Sequence, residues 1–100
     1  MCYVLPASSI ILSHPDVLVW QSLRVSDGLV VAVMLRPLYG RTARMQVLAE
    51  VAESVRGYTD GTVYVVADTD VYQAILHEEA VDTRALSRRR GCYVLPHNHE

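Results

Sequence analysis

The amino-acid sequence predicts an α+β fold, a two-layer sandwich with a β-β-α-β-α core and short strands at both ends. Three observations lead to this prediction. Residues 41–56 show helical periodicity, two long apolar segments precede them, and the β-branched segment TVYVVA follows them. A helix with one apolar stripe must bury that stripe, and the neighbouring strands offer a surface on which it can pack.

Size and composition predict a single α+β domain over residues 1–100, with its core at about 17–80. A chain of 100 residues, of which 51% are hydrophobic, can bury a core without a disulfide or a metal ion. The net charge of −2 provides no field that attracts nucleic acid, so we expect no nucleic-acid partner. Since no apolar run reaches the length of a membrane span, we expect a soluble protein without a transmembrane segment.

The apolar runs within the first 35 residues predict several strands. Tyr3–Leu5 reads as a short strand that Pro6 ends or confines to a sheet edge, and residues 9–13 read as another. Val17–Val25 and Leu29–Leu35 are the strongest strand signals in the chain.

Asp27-Gly28 is typical of a two-residue hairpin turn, because both turn positions adopt positive φ. This turn predicts three cross-strand pairs, Val25–Val30, Leu23–Ala32 and Gln21–Met34. One face of the hairpin would carry Val17, Val19, Leu23, Val25, Val30, Ala32 and Met34, and the other Leu18, Trp20, Val31, Val33 and Leu35 with Ser22 and Arg24. Both faces are largely apolar, so we expect each to be covered, by the protomer itself or by a second copy.

The helical segment Arg41–Arg56 has an apolar stripe and recognisable ends. Thr42 is a candidate N-cap, and Gly57 can adopt the left-handed conformation that ends a helix. The stripe consists of Leu48, Val51, Ala52 and Val55.

After a turn, Thr62–Ala67 reads as a third long strand. Asp68 and Asp70 then suit the start of a second helix that runs through about Ala80. One side of that helix would carry Val71, Ala74, Ile75 and Glu78. The alternative is a second hairpin with Val71–Leu76 as its return strand. Residues 81–91 are polar and basic, and we expect a linker there.

An identical pentapeptide, Cys-Tyr-Val-Leu-Pro, stands at residues 2–6 and again at residues 92–96. It could form two matching edge strands that pair with each other or with another copy of the chain. It could also contribute to a metal site, because Cys2, Cys92, His97 and His99 are ligand types that zinc prefers. A third interpretation is that both cysteines are small buried hydrophobic residues.

Other polar residues are weaker candidates for a binding or catalytic site. Asp68 and Asp70 could bind a divalent cation or act as an acid–base pair, but capping a helix explains them better. Arg84 and residues 88–90 could contact phosphate or an acidic partner, although a solvated linker has the same composition. The sequence contains neither a nucleophile elbow nor a phosphate-binding glycine loop, so we expect no catalytic residues.

Residues 29–75 resemble a known kind of module. The strand LVVAVML, the helix segment AEVAESV and the segment VYVVADTDVYQAI are similar in order and pattern to the small domain of sporulation lipoproteins of spore-forming bacteria. They also resemble the ring-building and BON-like α+β modules of secretion and sporulation assemblies. This resemblance implies an envelope or assembly role without enzymatic residues. The location stays open between the cytoplasm and a spore or envelope structure.

Together these observations predict a self-associating interaction module, a homo-oligomer without a cofactor. The predicted interface residues are Tyr3, Trp20, Val31, Val33 and Tyr93. The alternative function is a small metal- or ligand-binding protein that uses the terminal Cys/His cluster, with zinc as the candidate metal.

Overall fold

The computed structural model describes residues 3–5, 14–25, 27–37, 40–77, 83–89 and 91–96. Its elements are β1 (Tyr3–Leu5), β2 (Val17–Val25), β3 (Gly28–Leu35), α1 (Arg41–Ser54), a 3₁₀ turn (Arg56–Tyr58), β4 (Thr62–Val66), α2 (Thr69–Leu76), α3 (Thr83–Ser87) and β5 (Cys92–Leu95). The α+β class, the β-β-α-β-α order of the core and the short terminal strands are confirmed.

The described strands form one five-stranded sheet in the order β1-β2-β3-β4-β5. Neighbouring strands are antiparallel except for β3 and β4, which are parallel. The parallel pair arises because α1 returns the chain to the starting end of the sheet between the two strands. Within this sheet β1 and β5 are the two edge strands.

Helices cover both faces of the sheet. Leu29, Val31 and Val33 of β3 pack in one buried cluster with α1, whereas Val30 and Ala32 pack in a second cluster with α2 and α3. Because side chains alternate along a strand, these clusters lie on opposite faces, which we call the α1 face and the α2 face. The molecule thus has one helical layer more than the predicted two-layer sandwich.

A β-bulge in β2 changes the predicted composition of the two hairpin faces. The register with β3 shifts between Val19 and Gln21, so that Trp20 is an extra residue. Val17 and Val19 therefore pack on the α1 face, while Leu23 remains on the α2 face. The prediction that all three share a face was wrong, because a strict two-residue period was assumed through the bulge.

The hairpin register also differs from the prediction. Val25 pairs with Gly28 and Leu23 with Val30, so the connecting residues are 26 and 27 rather than Asp27 and Gly28. Gly91 is the one described residue with positive φ, so Gly28 does not serve as a left-handed turn residue. Glycine is needed at position 28 because β4 leaves no room for a side chain: a Cβ built there would lie 1.8 Å from the carbonyl oxygen of Thr62.

Helix α1 buries the predicted stripe but begins and ends differently. Leu48, Val51, Ala52 and Val55 are all buried. The N-cap is Gly40 without a side-chain hydrogen bond, not Thr42, and the helix ends at Ser54. Gly57 lies in the 3₁₀ turn that follows and does not adopt the left-handed conformation.

The second predicted helix is confirmed where the structure describes it. Asp68 is the N-cap of α2, and its Oδ1 accepts hydrogen bonds from the backbone N–H groups of Asp70 (2.9 Å) and Val71 (3.3 Å). The alternative return strand over these residues was wrong. Tyr72, rather than the exposed Ala74, shares the buried side of α2 with Val71 and Ile75, while Glu78 and Ala80 lie outside the described residues.

The predictions for residues 81–91 and for residues 9–13 remain to be compared with the structure. The segment predicted as a linker contains the short helix α3, whose Leu86 is buried on the α2 face. The short strand predicted at residues 9–13 lies outside the described residues. In the part of the chain that the structure describes, no helix has the length and apolar character needed to cross a membrane.

Candidate functional site

The two copies of the pentapeptide supply the two opposite edges of the sheet. Residues 3–5 form β1 and residues 92–95 form β5, with three strands between them. Four strand spacings of about 4.8 Å separate the edges by roughly 19 Å. The repeats therefore do not pair with each other within a protomer. From the successive pairings, β1 runs in the same direction as β3 and β4, whereas β5 runs in the opposite direction.

Hydrogen bonding shows which backbone groups of β5 point outward. The N–H of Ala67 donates to the carbonyl oxygen of Gly91 (2.6 Å), and these residues are directly opposite in the register that pairs Val66 with Cys92. Because hydrogen-bonded and non-bonded pairs alternate in an antiparallel ladder, Tyr93 is bonded to β4. The N–H and C=O of Val94 then point away from the sheet.

The same reasoning applies to β1. A two-residue hairpin connection closes on a hydrogen-bonded pair, here Val25 and Gly28, so Arg24 directs its backbone groups to the other side, toward β1. Arg24 is opposite Tyr3, which is therefore bonded to β2. The N–H and C=O of Val4 point outward. Equivalent residues of the pentapeptide, Val4 and Val94, thus present their backbone groups at the two edges.

Edge strand β5 is held to its own protomer by side chains on both faces. Cys92 and Leu95 are buried, while Tyr93 and Val94 are half-buried on the α1 face and the α2 face respectively. Arg56 Nη1 donates a 2.9 Å hydrogen bond to the carbonyl oxygen of Pro96. The strand is therefore fixed by its side chains, which leaves the outward backbone groups as the part that can contact a partner.

The predicted interface residues occupy different environments. Val31 and Val33 are 0% and 2% exposed beneath α1, so they belong to the protomer's own core and cannot contact a partner. Trp20 is half-buried and packs edge-on against the ring of Tyr72, with centroids 5.1 Å apart. Tyr3 and Tyr93 stand on the two edge strands.

Sequence reasoning did not identify the most exposed apolar side chains. Leu18 and Met34 are directly opposite on β2 and β3 and are 61% and 59% exposed. Both faces of the hairpin were expected to be covered, by the protomer or by a second copy, and the protomer's own helices cover both except at this pair. The alternation of apolar residues along the two strands could not show that the helices leave Leu18 and Met34 uncovered.

Of the four predicted metal ligands, the structure describes Cys92 alone. Cys2, His97 and His99 lie outside the described residues, and no group of three metal-ligating side chains occurs within them. Burial, together with a smaller effect of the negative charge of Asp68 and an opposing effect of Arg89, raises the pKa of the Cys92 thiol to about 11. Without a metal ion Cys92 is therefore a protonated thiol at neutral pH, and binding a metal would release its proton.

The same thiol predicts a loss of stability in alkaline solution. The ordinary pKa of 9.0 applies to the unfolded chain, so between about pH 9 and 11 the unfolded chain loses a proton that the folded protein retains. The contribution is complete below pH 9, and the free energy of unfolding falls as the pH rises through this interval. Urea unfolding at a series of pH values measures it. We expect a shallower pH slope for Cys92→Ala, and an equal slope would contradict the assignment.

Two surface clefts lie at opposite ends of the parallel strands. One, of about 420 Å³, is lined by Arg44, Asp68, Thr69, Asp70 and Gly91 where β4 ends, but the Asp68 carboxylate there already caps α2. The other, of about 470 Å³, includes Asp27, whose Oδ2 accepts a 2.7 Å hydrogen bond from Tyr64. Burial and this bond raise the pKa of Tyr64 well above its usual value.

Of the arginines that could have contacted phosphate, Arg84, Arg88 and Arg89 are exposed on and after α3, and Arg90 lies outside the described residues. They do not line either of the two clefts described above. The edges of the sheet are thus the arrangement on which a function can best be argued. Comparisons of the chain with protein-family models, with curated proteins and with solved structures found no match.

Proposed function

We propose that the protein is a non-enzymatic interaction module that associates with other copies of itself through the edges of its sheet. One observation carries the proposal. Both edge strands come from the same uncharged pentapeptide, residues 3–5 in β1 and residues 92–95 in β5, and in each strand the valine turns a backbone N–H and C=O outward.

An edge strand with unpaired backbone groups is a template for another strand. Natural edges are usually protected by charged side chains, by proline, by a bulge, by a covering helix or loop, or by an edge strand that is very short. The pentapeptide contains no charge, and Pro96 follows β5 rather than interrupting it. The bulge of β2 lies in the strand next to the edge and not in β1 itself. The described edge strands therefore lack charge and a bulge, but at three residues in β1 and four in β5 they can add only a short ladder.

An exposed apolar pair on the sheet adds a contribution. Leu18 of β2 and Met34 of β3 are directly opposite and expose most of their side chains, and Leu18 lies four positions along β2 from Ser22, where the described pairing with β1 ends. Side chains of this size favour association because contact with a partner removes them from water. The resemblance of residues 29–75 to modules of bacterial sporulation and secretion assemblies supports the same role, and we extend the proposal to a spore or envelope structure on that basis.

Solution mass tests the proposal. Sedimentation velocity or light scattering, carried out from low to high micromolar concentration, should give an average mass that rises above the protomer mass of 11.2 kDa. The variant Leu18→Ser keeps both edge strands but loses one exposed apolar side chain, so it should still associate, at a higher concentration than the wild-type protein. A strict monomer at high micromolar concentration would overturn the proposal.

A further inference from the structure

We infer that association of this protein is open-ended, with β5 of one copy pairing with β1 of the next so that the sheet continues from protomer to protomer. The inference rests on the proposed function and specifies its geometry. The partner is a second copy of this chain, placed beside the first in the same orientation.

Strand direction permits this arrangement. Since β1 and β5 run in opposite directions within one sheet, a neighbour in the same orientation sets its β1 antiparallel to β5. Inside the protomer each of these strands is already antiparallel to its own neighbour, β1 to β2 and β5 to β4. The joint therefore requires no change in the backbone of either strand.

The outward backbone groups match across such a joint. If Val4 is opposite Val94, each residue offers its N–H to the carbonyl oxygen of the other, which gives a closely spaced hydrogen-bonded pair. The proline that closes each repeat lacks the N–H that would extend the ladder. The joint is thus short, and we expect association that is reversible and dependent on concentration.

The two edge strands have the same sequence but different neighbours, since α1 and α3 contact β5. Contacts of β1 with β1 and of β5 with β5 would also place the same residues against each other, and they remain possible when one edge is blocked. Each protomer has two joining edges, and a head-to-tail contact of β5 with β1 that does not close into a ring continues to grow. Blocking one edge should leave the other able to form a dimer but nothing larger.

Proline at the outward valines provides a matched pair of blocking variants. Val94→Pro and Val4→Pro each remove one outward N–H, and proline is tolerated on an edge strand where the N–H faces solvent. The controls Val94→Ala and Val4→Ala retain the N–H. We expect masses beyond the dimer for the wild-type protein and both controls, at most a dimer for each proline variant, and a monomer for the double proline variant.

The outcomes separate this inference from the proposed function. A wild-type protein that stops at the dimer overturns open-ended growth and leaves self-association intact, whereas a wild-type monomer overturns both. A single proline variant that assembles beyond the dimer overturns the assignment of the edges.

A measurement on the wild-type protein covers the case in which a proline variant does not fold, as judged by circular dichroism and by the fluorescence of Trp20. An excess of the peptide Cys-Tyr-Val-Leu-Pro should occupy free edges and lower the mean mass, while a peptide of scrambled sequence should not. If the mean mass is the same with both peptides, the inference fails.

Discussion

Gly28→Ala is expected to destabilise the protein by about 3 kcal/mol or more, at or beyond the upper end of ordinary overpacking. The new Cβ would lie 1.8 Å from the carbonyl oxygen of Thr62 and 2.7 Å from its carbonyl carbon and nitrogen. These are backbone atoms of the neighbouring strand, so no side chain can rotate to make room. The clash would separate β3 from β4 at the centre of the sheet. Urea unfolding followed by Trp20 fluorescence would measure the loss.

Gly57→Ala is the matched control for this prediction. A Cβ on Gly57 meets nothing within 4 Å, and the residue does not have positive φ. The change should therefore be neutral or stabilising by up to about 1 kcal/mol, through the reduced freedom of the unfolded chain. Equal stabilities of the Gly28 and Gly57 variants would show that the close approach of β3 to β4 is incorrect.

Leu48→Ala is expected to cost about 2–5 kcal/mol, the usual range for a large-to-small change in a core. Leu48 is 0% exposed in the cluster that joins α1 to the sheet. Removing its side chain leaves a cavity among Val31, Val51 and other residues that cannot easily collapse, because they belong to rigid elements. Against a typical domain stability of about 5–15 kcal/mol this is a large fraction. Thermal or urea unfolding would measure it.

The same substitution at Leu18 provides the comparison. Leu18 is 61% exposed, so Leu18→Ala removes few contacts and should change the free energy of unfolding by no more than about 0.5 kcal/mol. A cost at Leu18 similar to that at Leu48 would mean that Leu18 is covered in solution. The comparison should therefore be made at a protein concentration at which the protein is monomeric.

Most elements could be predicted because their signals are local. The stripe of α1 follows from the spacing of Leu48, Val51 and Val55, and the start of α2 follows from the capping carboxylate of Asp68. The bulge at Trp20 could not be predicted, because the indole packs against Tyr72, which lies 52 positions along the chain. The role of Gly28 was misread for the same reason, since the crowding atoms belong to Thr62.

The candidate site was predictable in part. Pro6 and the repeat indicated edge strands, and both repeats do form strands at the edges of the sheet. The sequence did not show that they lie at opposite edges, because strand order depends on how α1 returns the chain between β3 and β4. It also could not show that Val31 and Val33 are covered by the protomer's own helix.

The central position of the parallel pair has a consequence for how the molecule opens. β3 and β4 are flanked by strands on both sides and by helices above and below, so we expect their amides to exchange with solvent mainly when the whole molecule unfolds. β1 has three residues and a single neighbour, so it can fray while the middle stays intact, whereas β5 is held by its buried side chains. When β1 frays, the identical residues of another molecule can take its place beside β2.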